Sequence, residues 1–220
     1  MIEYVSLKGK KIKVKKGKLK INYKLIYEIN EIKGLDSLVN LKELNLNKNF
    51  RISEIKGLEK LTNLNILRLR NNNISEIKGL ETLTNLKLLD LAKNNISEIK
   101  GLESLTDLEY LDLTANKISE IKNLEALVNL QFLLIGRNQI PAKFLNSLGG
   151  LSQEGRVFYP QNFVEYSSEK KKQLIEKKMI LSCPFCRCFI KTLDINGNTI
   201  ICNNCGSKYE KQDLLKTEIL

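Results

Sequence analysis

The chain repeats itself. Aligned from Leu41, Leu64, Leu86, Leu108 and Leu130, it reads LKELNLNKN, LNILRLRNN, LKLLDLAKN, LEYLDLTAN and LQFLLIGRN, at intervals of 23, 22, 22 and 22 residues. Every copy matches L-x-x-L-x-L-x-x-N, with Ile135 at the last leucine place of the fifth, and the first four continue as I-S-E-I-K-G-L-E-x-L-T-N or a near variant. This periodicity constrains the fold more than any other feature. One such unit cannot bury its own apolar face, so the units must stack into a continuous core. The extra residue of the first copy falls at Phe50-Arg51, where a local bulge is expected.

The pattern dictates the geometry of each unit. In a short strand, alternate side chains point to opposite faces, so the leucines of L-x-x-L-x-L turn inward and the intervening residues outward. Strands of successive units then stack in parallel at about 4.8 Å. The Ile-x-x-Ile-x-Gly-Leu-x-x-Leu half carries the chain back over the other side through short helical or 3-10 turns. Asn49, Asn72, Asn94, Asn116 and Asn138 close each strand at one position. An asparagine side chain both donates and accepts, so a column of them can satisfy turn backbone groups trapped between units. We therefore read these asparagines as structural.

The array needs capped ends. Ile29, Ile32, Leu35 and Leu38 keep the spacing of a second half-unit while the strand half before them is degenerate, so residues 1–40 read as the N-terminal cap. Residues 41–163 hold the array and its C-terminal flank; the aromatics Phe158, Tyr159 and Phe163, with Tyr166 just beyond that boundary, are available to seal the last coil. Residues 164–180 read as a linker helix with a serine at its N-cap and Lys170–Lys172 solvated; residues 181–220 form a separate tail.

Over about residues 25–150 these units resemble the leucine-rich repeat superfamily. The 22-residue length resembles the subclass of internalins and of a regulatory subunit of protein phosphatase 1. The near-identical copies are similar to repeats of archaeal, particularly Asgard, and low-GC microbial proteins. The resemblance implies a curved α/β solenoid, with a parallel sheet on its concave side, that binds protein partners on that sheet. The chain departs from internalins in showing no signal or surface-anchoring region, and from the phosphatase subunit in having fewer repeats and a cysteine-rich tail.

The outward strand positions form columns that vary while the frame does not. One column reads Glu43, Ile66, Leu88, Tyr110, Phe132. Four successive apolar side chains make a stripe of about 15 Å at the strand spacing. It can serve as a partner surface, with aromatics as anchors, or its members can pack on one another. The next column reads Asn45, Arg68, Asp90, Asp112, Leu134, and the one after it Asn47, Arg70, Ala92, Thr114, Gly136. Asp90 and Asp112 should lie side by side. Paired carboxylates can do acid–base chemistry or hold a hard cation. The preferred alternative is an exposed ladder in which Arg68 neutralises Asp90 while Asp112 stays solvated or meets a partner's basic group. The expected partner face comprises Ile66, Arg68, Arg70, Leu88, Asp90, Tyr110, Asp112 and Phe132.

Charge is unevenly distributed. The net charge is +11, and residues 1–20 hold eight lysines against Glu3 alone, whereas residues 24–163 hold 18 basic and 17 acidic side chains. The alternation in KKIKVKKGKLKI favours a solvated edge strand or cap, because lysine blocks strand edges; the other reading is an arm for acidic partners or nucleic acid. There is no histidine, which removes Ser-His-Asp and Cys-His nucleophile systems and every histidine-containing metal centre. No phosphate-binding glycine loop or dinucleotide fingerprint occurs. Nothing proposes an enzyme.

All five cysteines lie in CPFCRCFIKTLDINGNTIICNNC, residues 183–205. Two C-x₂-C pairs, Cys183/Cys186 and Cys202/Cys205, are separated by 15 residues, a zinc spacing. Asn196-Gly197 between two β-prone runs is a hairpin signal. Residues 181–210 resemble a zinc ribbon, in which two knuckles flank a hairpin. Without histidine the site is Cys₄, binding one structural Zn²⁺ that supplies most of the folding free energy of so small a unit. Zinc is preferred over a rubredoxin-like iron because the intervening loop is short. Arg187 departs from the glycine common after a first knuckle, and Cys188 is expected to be free or buried. Clustered cysteines in odd number, with no secretory signal and no apolar run of about 18 residues, suit a reducing cytoplasm. The functional reading is a non-catalytic adaptor that binds a protein on its concave face and carries a zinc ribbon as second module. The alternative is a nucleic-acid-associated protein using the ribbon and the basic N-terminal arm.

Overall fold

The computed structural model describes residues 3–22, 26–153, 155–157, 159–179, 199–201 and 208–210. The chain divides into two compact units, Met1–Ser168 and Glu169–Leu220.

In the first unit the leucine frame becomes a six-stranded parallel sheet. Strands β3 (Lys18–Lys20), β4 (Glu43–Asn45), β5 (Ile66–Arg68), β6 (Leu88–Asp90), β7 (Tyr110–Asp112) and β8 (Phe132–Leu134) stand in chain order. Leu19, Leu44, Leu67, Leu89, Leu111 and Leu133 pair in one register across the sheet, and all six are buried. The core continues through the return halves, where Ile52, Ile55, Leu58 and Leu61 and their counterparts in later coils are fully buried.

The return halves are built from single turns. Leu61 N–H donates to Leu58 O and Leu64 N–H to Leu61 O, and the same pair of bonds recurs at residues 80–86, 102–108 and 124–130. Among the described residues, 3-10 helix occurs only in the N-terminal cap, at Ile29–Glu31 and Leu35–Ser37. The expected helical turns on that side are therefore reduced to turns along the array. Each three-residue apolar step is closed by one such bond, so two successive turns carry the chain to the next strand.

Two backbone devices let the coils stack closely. Lys48, Asn71, Lys93, Ala115 and Arg137, each just before a ladder asparagine, adopt positive φ of 55–61°. Gly101 has φ +73°, and a Cβ there would sit 2.2 Å from Ile77 O. At the equivalent place one coil later, Asn123 instead donates from Nδ2 to Ile99 O at 2.6 Å.

The asparagine column works as expected. Asn94 Nδ2 donates to Leu91 O at 2.9 Å in its own coil and to Leu69 O at 3.0 Å in the coil before, while Oδ1 accepts from Ile74 N–H at 3.0 Å. Asn116 repeats the arrangement. The extra residue of the first coil forms a turn at Phe50-Arg51, closed by Ile52 N–H to Asn49 O at 2.9 Å. Because that bond occupies Ile52 N–H, Asn72 Oδ1 accepts from Asn49 N–H instead.

The N-terminal cap is an antiparallel hairpin, β1 (Tyr4–Leu7) with β2 (Lys10–Lys13), followed by β3 at the sheet edge. This matches the edge-strand reading of the lysine-rich segment. At the other end, residues 155–157 cover the edge of β8: Val157 N–H donates to Leu133 O, and Ile135 N–H to Gly155 O. After α1 (Ala142–Ser147) comes α2 (Pro160–Met179). The helix begins at Pro160, four residues ahead of the expected start. Proline suits the first helical position because its missing N–H is not needed there. The serines read as an N-cap, Ser167 and Ser168, therefore lie inside the helix. Phe163 and Val164 are buried against the array, and Tyr166 meets Phe144 edge-on at 5.0 Å. Tyr159 is 61% exposed and does not seal the last coil; Val157 occupies the core there instead. Phe158 lies outside the described residues.

In the second unit, β9 (Thr199–Ile201) pairs antiparallel with β10 (Lys208–Glu210), Ile201 opposite Lys208.

Candidate binding face on the six-stranded sheet

The outward columns stand as the strand pleat requires. Glu43, Ile66, Leu88, Tyr110 and Phe132 are successive neighbours across the sheet, as are Asn45, Arg68, Asp90 and Asp112. The apolar column is half-buried throughout. Tyr110 and Phe132 contact each other, with ring centroids 5.9 Å apart. Arg156, from the C-terminal flank, holds its guanidinium 4.3 Å from the centre of the Phe132 ring. The side chains thus pack on one another, the second of the two sequence alternatives, and still leave area outward.

The charge pairing differs from expectation. Arg68 bonds Glu43, which also meets Lys18 Nζ at 2.9 Å. The Lys18 hydrogen bond, with the neighbouring Arg68 charge, holds the Glu43 carboxyl below the usual carboxylate range. Arg70, not Arg68, serves the aspartates: its Nη1 lies 3.1 Å from Asp112 Oδ2 and 4.0 Å from Asp90 Oδ1. The physical reason is competition. Glu43 engages Arg68 from the strand before, leaving Arg70 to reach across two strands. Asp112 is not solvated but 4% exposed.

Sequence reasoning missed a second role of this column. Asn45, Asp90 and Asp112 each accept the N–H two residues further on, from Asn47 at 3.1 Å, Ala92 at 3.1 Å and Thr114 at 2.9 Å. Short Asn and Asp side chains favour such turns, and that signal was present in the x positions of L-x-L-x-x. Burial pushes the Asp90 carboxyl up to about 6, and the negative Asp112 alongside adds to the rise. The Tyr110 hydroxyl is likewise raised by burial.

The expected zinc ligands Cys183, Cys186, Cys202 and Cys205, together with Cys188, lie outside the described residues. Described residues flank one pair of them in sequence: β9 ends at Ile201, and its antiparallel partner β10 begins at Lys208. Among the described residues, no helix is long and apolar enough to cross a membrane.

Residues 39–82 and 84–126 match the family model described as Leucine Rich repeats (2 copies). No curated protein matches the chain. Among solved structures, an internalin C2 from Listeria monocytogenes is similar at 31% identity and a TM-score of 0.52, over 59% of this chain and 57% of that one. The functional domain of InlJ from the same organism, described as including a cysteine ladder, gives 24% identity and a TM-score of 0.48, over 56% of this chain and 25% of that one. The chain thus spans a quarter of one neighbour and little more than half of the other. The repeat match, the likeness to internalin C2 and the stacked parallel sheet together support leucine-rich repeats over the array.

Proposed function

We propose that the chain is a non-catalytic protein-interaction adaptor, with a partner seated on the outward face of the sheet, the side expected to be concave. The observation that carries this is the column Ile66, Leu88, Tyr110, Phe132, half-buried and in register, beside the Arg70–Asp90–Asp112 cluster. Aromatic anchors with charged neighbours suit a protein interface, where a few well-placed side chains carry most of the affinity. Fixed ion pairs flanking the stripe would set orientation more than affinity.

The second module is proposed as a Cys₄ zinc ribbon, with Cys183, Cys186, Cys202 and Cys205 holding one structural Zn²⁺. The β9–β10 pairing supports it, because a knuckle in a hairpin connection brings two thiolates to one end of the two strands. Bound zinc would supply folding free energy there and leave no open coordination position for catalysis. Four zinc thiolates suit a reducing compartment, the cytoplasm.

The test is a comparative pull-down from the native host with the wild-type chain and a variant carrying Tyr110→Ala and Phe132→Ala. The variant should lose the partners that the wild type retains while melting within a few degrees of it. Retention of every partner by a folded variant refutes the face.

A further inference from the structure

Strands β2 and β3 are joined by a tight turn in which Lys15 and Lys18 exchange backbone hydrogen bonds, each at 3.0 Å. They do not pair with each other beyond it. Among the described strands, β2 pairs only with β1, and β3 only with β4. The two strands therefore diverge from the turn, with positive φ at Lys16 and Gly17, and leave a cleft of about 910 Å³ between them. That volume lies in the upper part of the range of ligand sites, roughly 300–1,000 Å³.

The cleft is strongly polarised. Among the described residues, seven lysines line it (8, 10, 11, 13, 15, 18 and 20) against one carboxylate, Glu43. Glu43 is already held by Lys18 and Arg68. Leu7, Ile12 and Leu19 supply the apolar lining, with Ile12 half-exposed. Lysine protects strand edges; with Lys8 and Lys18 set aside, the latter answering Glu43, the cluster of Lys10, Lys11, Lys13, Lys15 and Lys20 on one concavity is a charge excess suited to an acidic ligand.

We infer that this cleft accepts an extended acidic segment of a partner protein, added as a strand between β2 and β3. Three features favour a peptide over a nucleic acid. The walls are the unpartnered sides of two strands, whose backbone groups an extended chain satisfies by strand addition. Among the described residues, the cleft lining contains no aromatic side chain, so bases would find no stacking platform there. It contains no arginine either, which removes bidentate phosphate recognition. An occupant with alternating apolar and acidic residues would place the former over Ile12 and the latter among the lysines. This site adjoins the proposed partner face through the Glu43–Arg68 pair, but it is tested with other residues, so either can fail without the other.

The test uses the full chain and three labelled probes: a short peptide of alternating glutamate and valine, the same peptide with glutamine for glutamate, and an oligouridine of equal length. Affinity is read by fluorescence anisotropy, and the location by amide hydrogen exchange. The glutamate peptide should bind about tenfold or more tightly than the glutamine peptide, weakening as salt shortens the screening length. It should slow exchange within residues 10–13 and 18–20. Combining Lys11→Gln, Lys13→Gln and Lys20→Gln should weaken it about tenfold, whereas Lys143→Gln, on α1, should not. These lysines are exposed, so the variants should fold. Tighter binding of oligouridine, unchanged binding by the triple variant, no slowed exchange at those residues, or no binding at all would each overturn the proposal.

Discussion

Replacing Asn94 with leucine tests the central structural claim, that the asparagine column holds the coils together and does not serve binding. Asn94 makes three main backbone contacts across two coils, to Leu91 O, Leu69 O and Ile74 N–H. They are not equivalent. Leu69 O also accepts from Asn72, and Leu91 O from Asn116, so each carbonyl keeps one partner in the variant. Ile74 N–H alone is orphaned, in a residue that is fully buried. An orphaned buried donor costs about 1–3 kcal/mol and each lost partial bond about 0.5–1.5 kcal/mol. The sum centres on about 4 kcal/mol, which for a domain of this size lowers Tm by roughly 8–16 °C. Thermal melting followed by circular dichroism measures the total, and hydrogen exchange at Ile74 measures the local effect. Asn94→Asp separates the parts: it retains the acceptor for Ile74 N–H but turns a carboxylate toward two carbonyls. It should be at least as damaging near neutrality and recover partly in acid, where the protonated carboxyl can donate once. An unchanged Tm in Asn94→Leu, or undiminished protection at Ile74, refutes the reasoning.

Three further outcomes are expected. Gly101→Ala should destabilise by more than 2 kcal/mol, because its Cβ would meet Ile77 O at 2.2 Å, whereas Gly57→Ala, at the same place in the first coil with nothing within 4 Å, should cost only the left-handed backbone penalty of about 1 kcal/mol; equal losses on urea denaturation would contradict this. Asp90 is pushed up to about 6 from 3.8, so the folded state binds its proton more tightly than the unfolded state does. Its ionisation therefore opposes folding, and stability from this residue increases as pH falls through 6 towards 4, by up to about 3 kcal/mol. Asp90→Asn keeps the acceptor for Ala92 N–H, as Asn45 does for Asn47, and should raise stability at pH 7 and remove that pH-dependent component; parallel pH profiles for variant and wild type would rule the account out. Elemental analysis of the full chain should find one equivalent of zinc, and a strong chelator should abolish amide protection at residues 199–201 and 208–210 while leaving the melting of the repeat array in place; iron, or protection that survives chelation, argues against the zinc ribbon.

Much of the face was legible in the sequence because a strand's pleat leaves no choice. Once Leu44, Leu67, Leu89, Leu111 and Leu133 point inward, Ile66, Leu88, Tyr110 and Phe132 must form an outward column, and Asp90 must lie beside Asp112. Charge pairing was not legible. Arg68 and Arg70 occupy alternate outward positions of one coil, and a flexible side chain spanning neighbouring strands chooses among carboxylates by what else competes for it. Glu43 decided that choice. The start of α2 was expected at residue 164, beside the capping serines Ser167 and Ser168, because a good capping residue is a local signal, whereas packing of Phe163 and Val164 against the last coil drew the helix back to Pro160.

The sequence by itself determined the period, the inward and outward positions of the five repeat strands, and the asparagine column, all of which follow from local geometry repeated at a fixed interval. Only the tertiary structure decided the burial of Asp112, the transfer of Arg70 to two aspartates and the parting of β2 from β3 around a lysine-lined cleft. Each of these depends on groups far apart in the chain competing for the same space or the same counter-charge, and no local pattern encodes the winner.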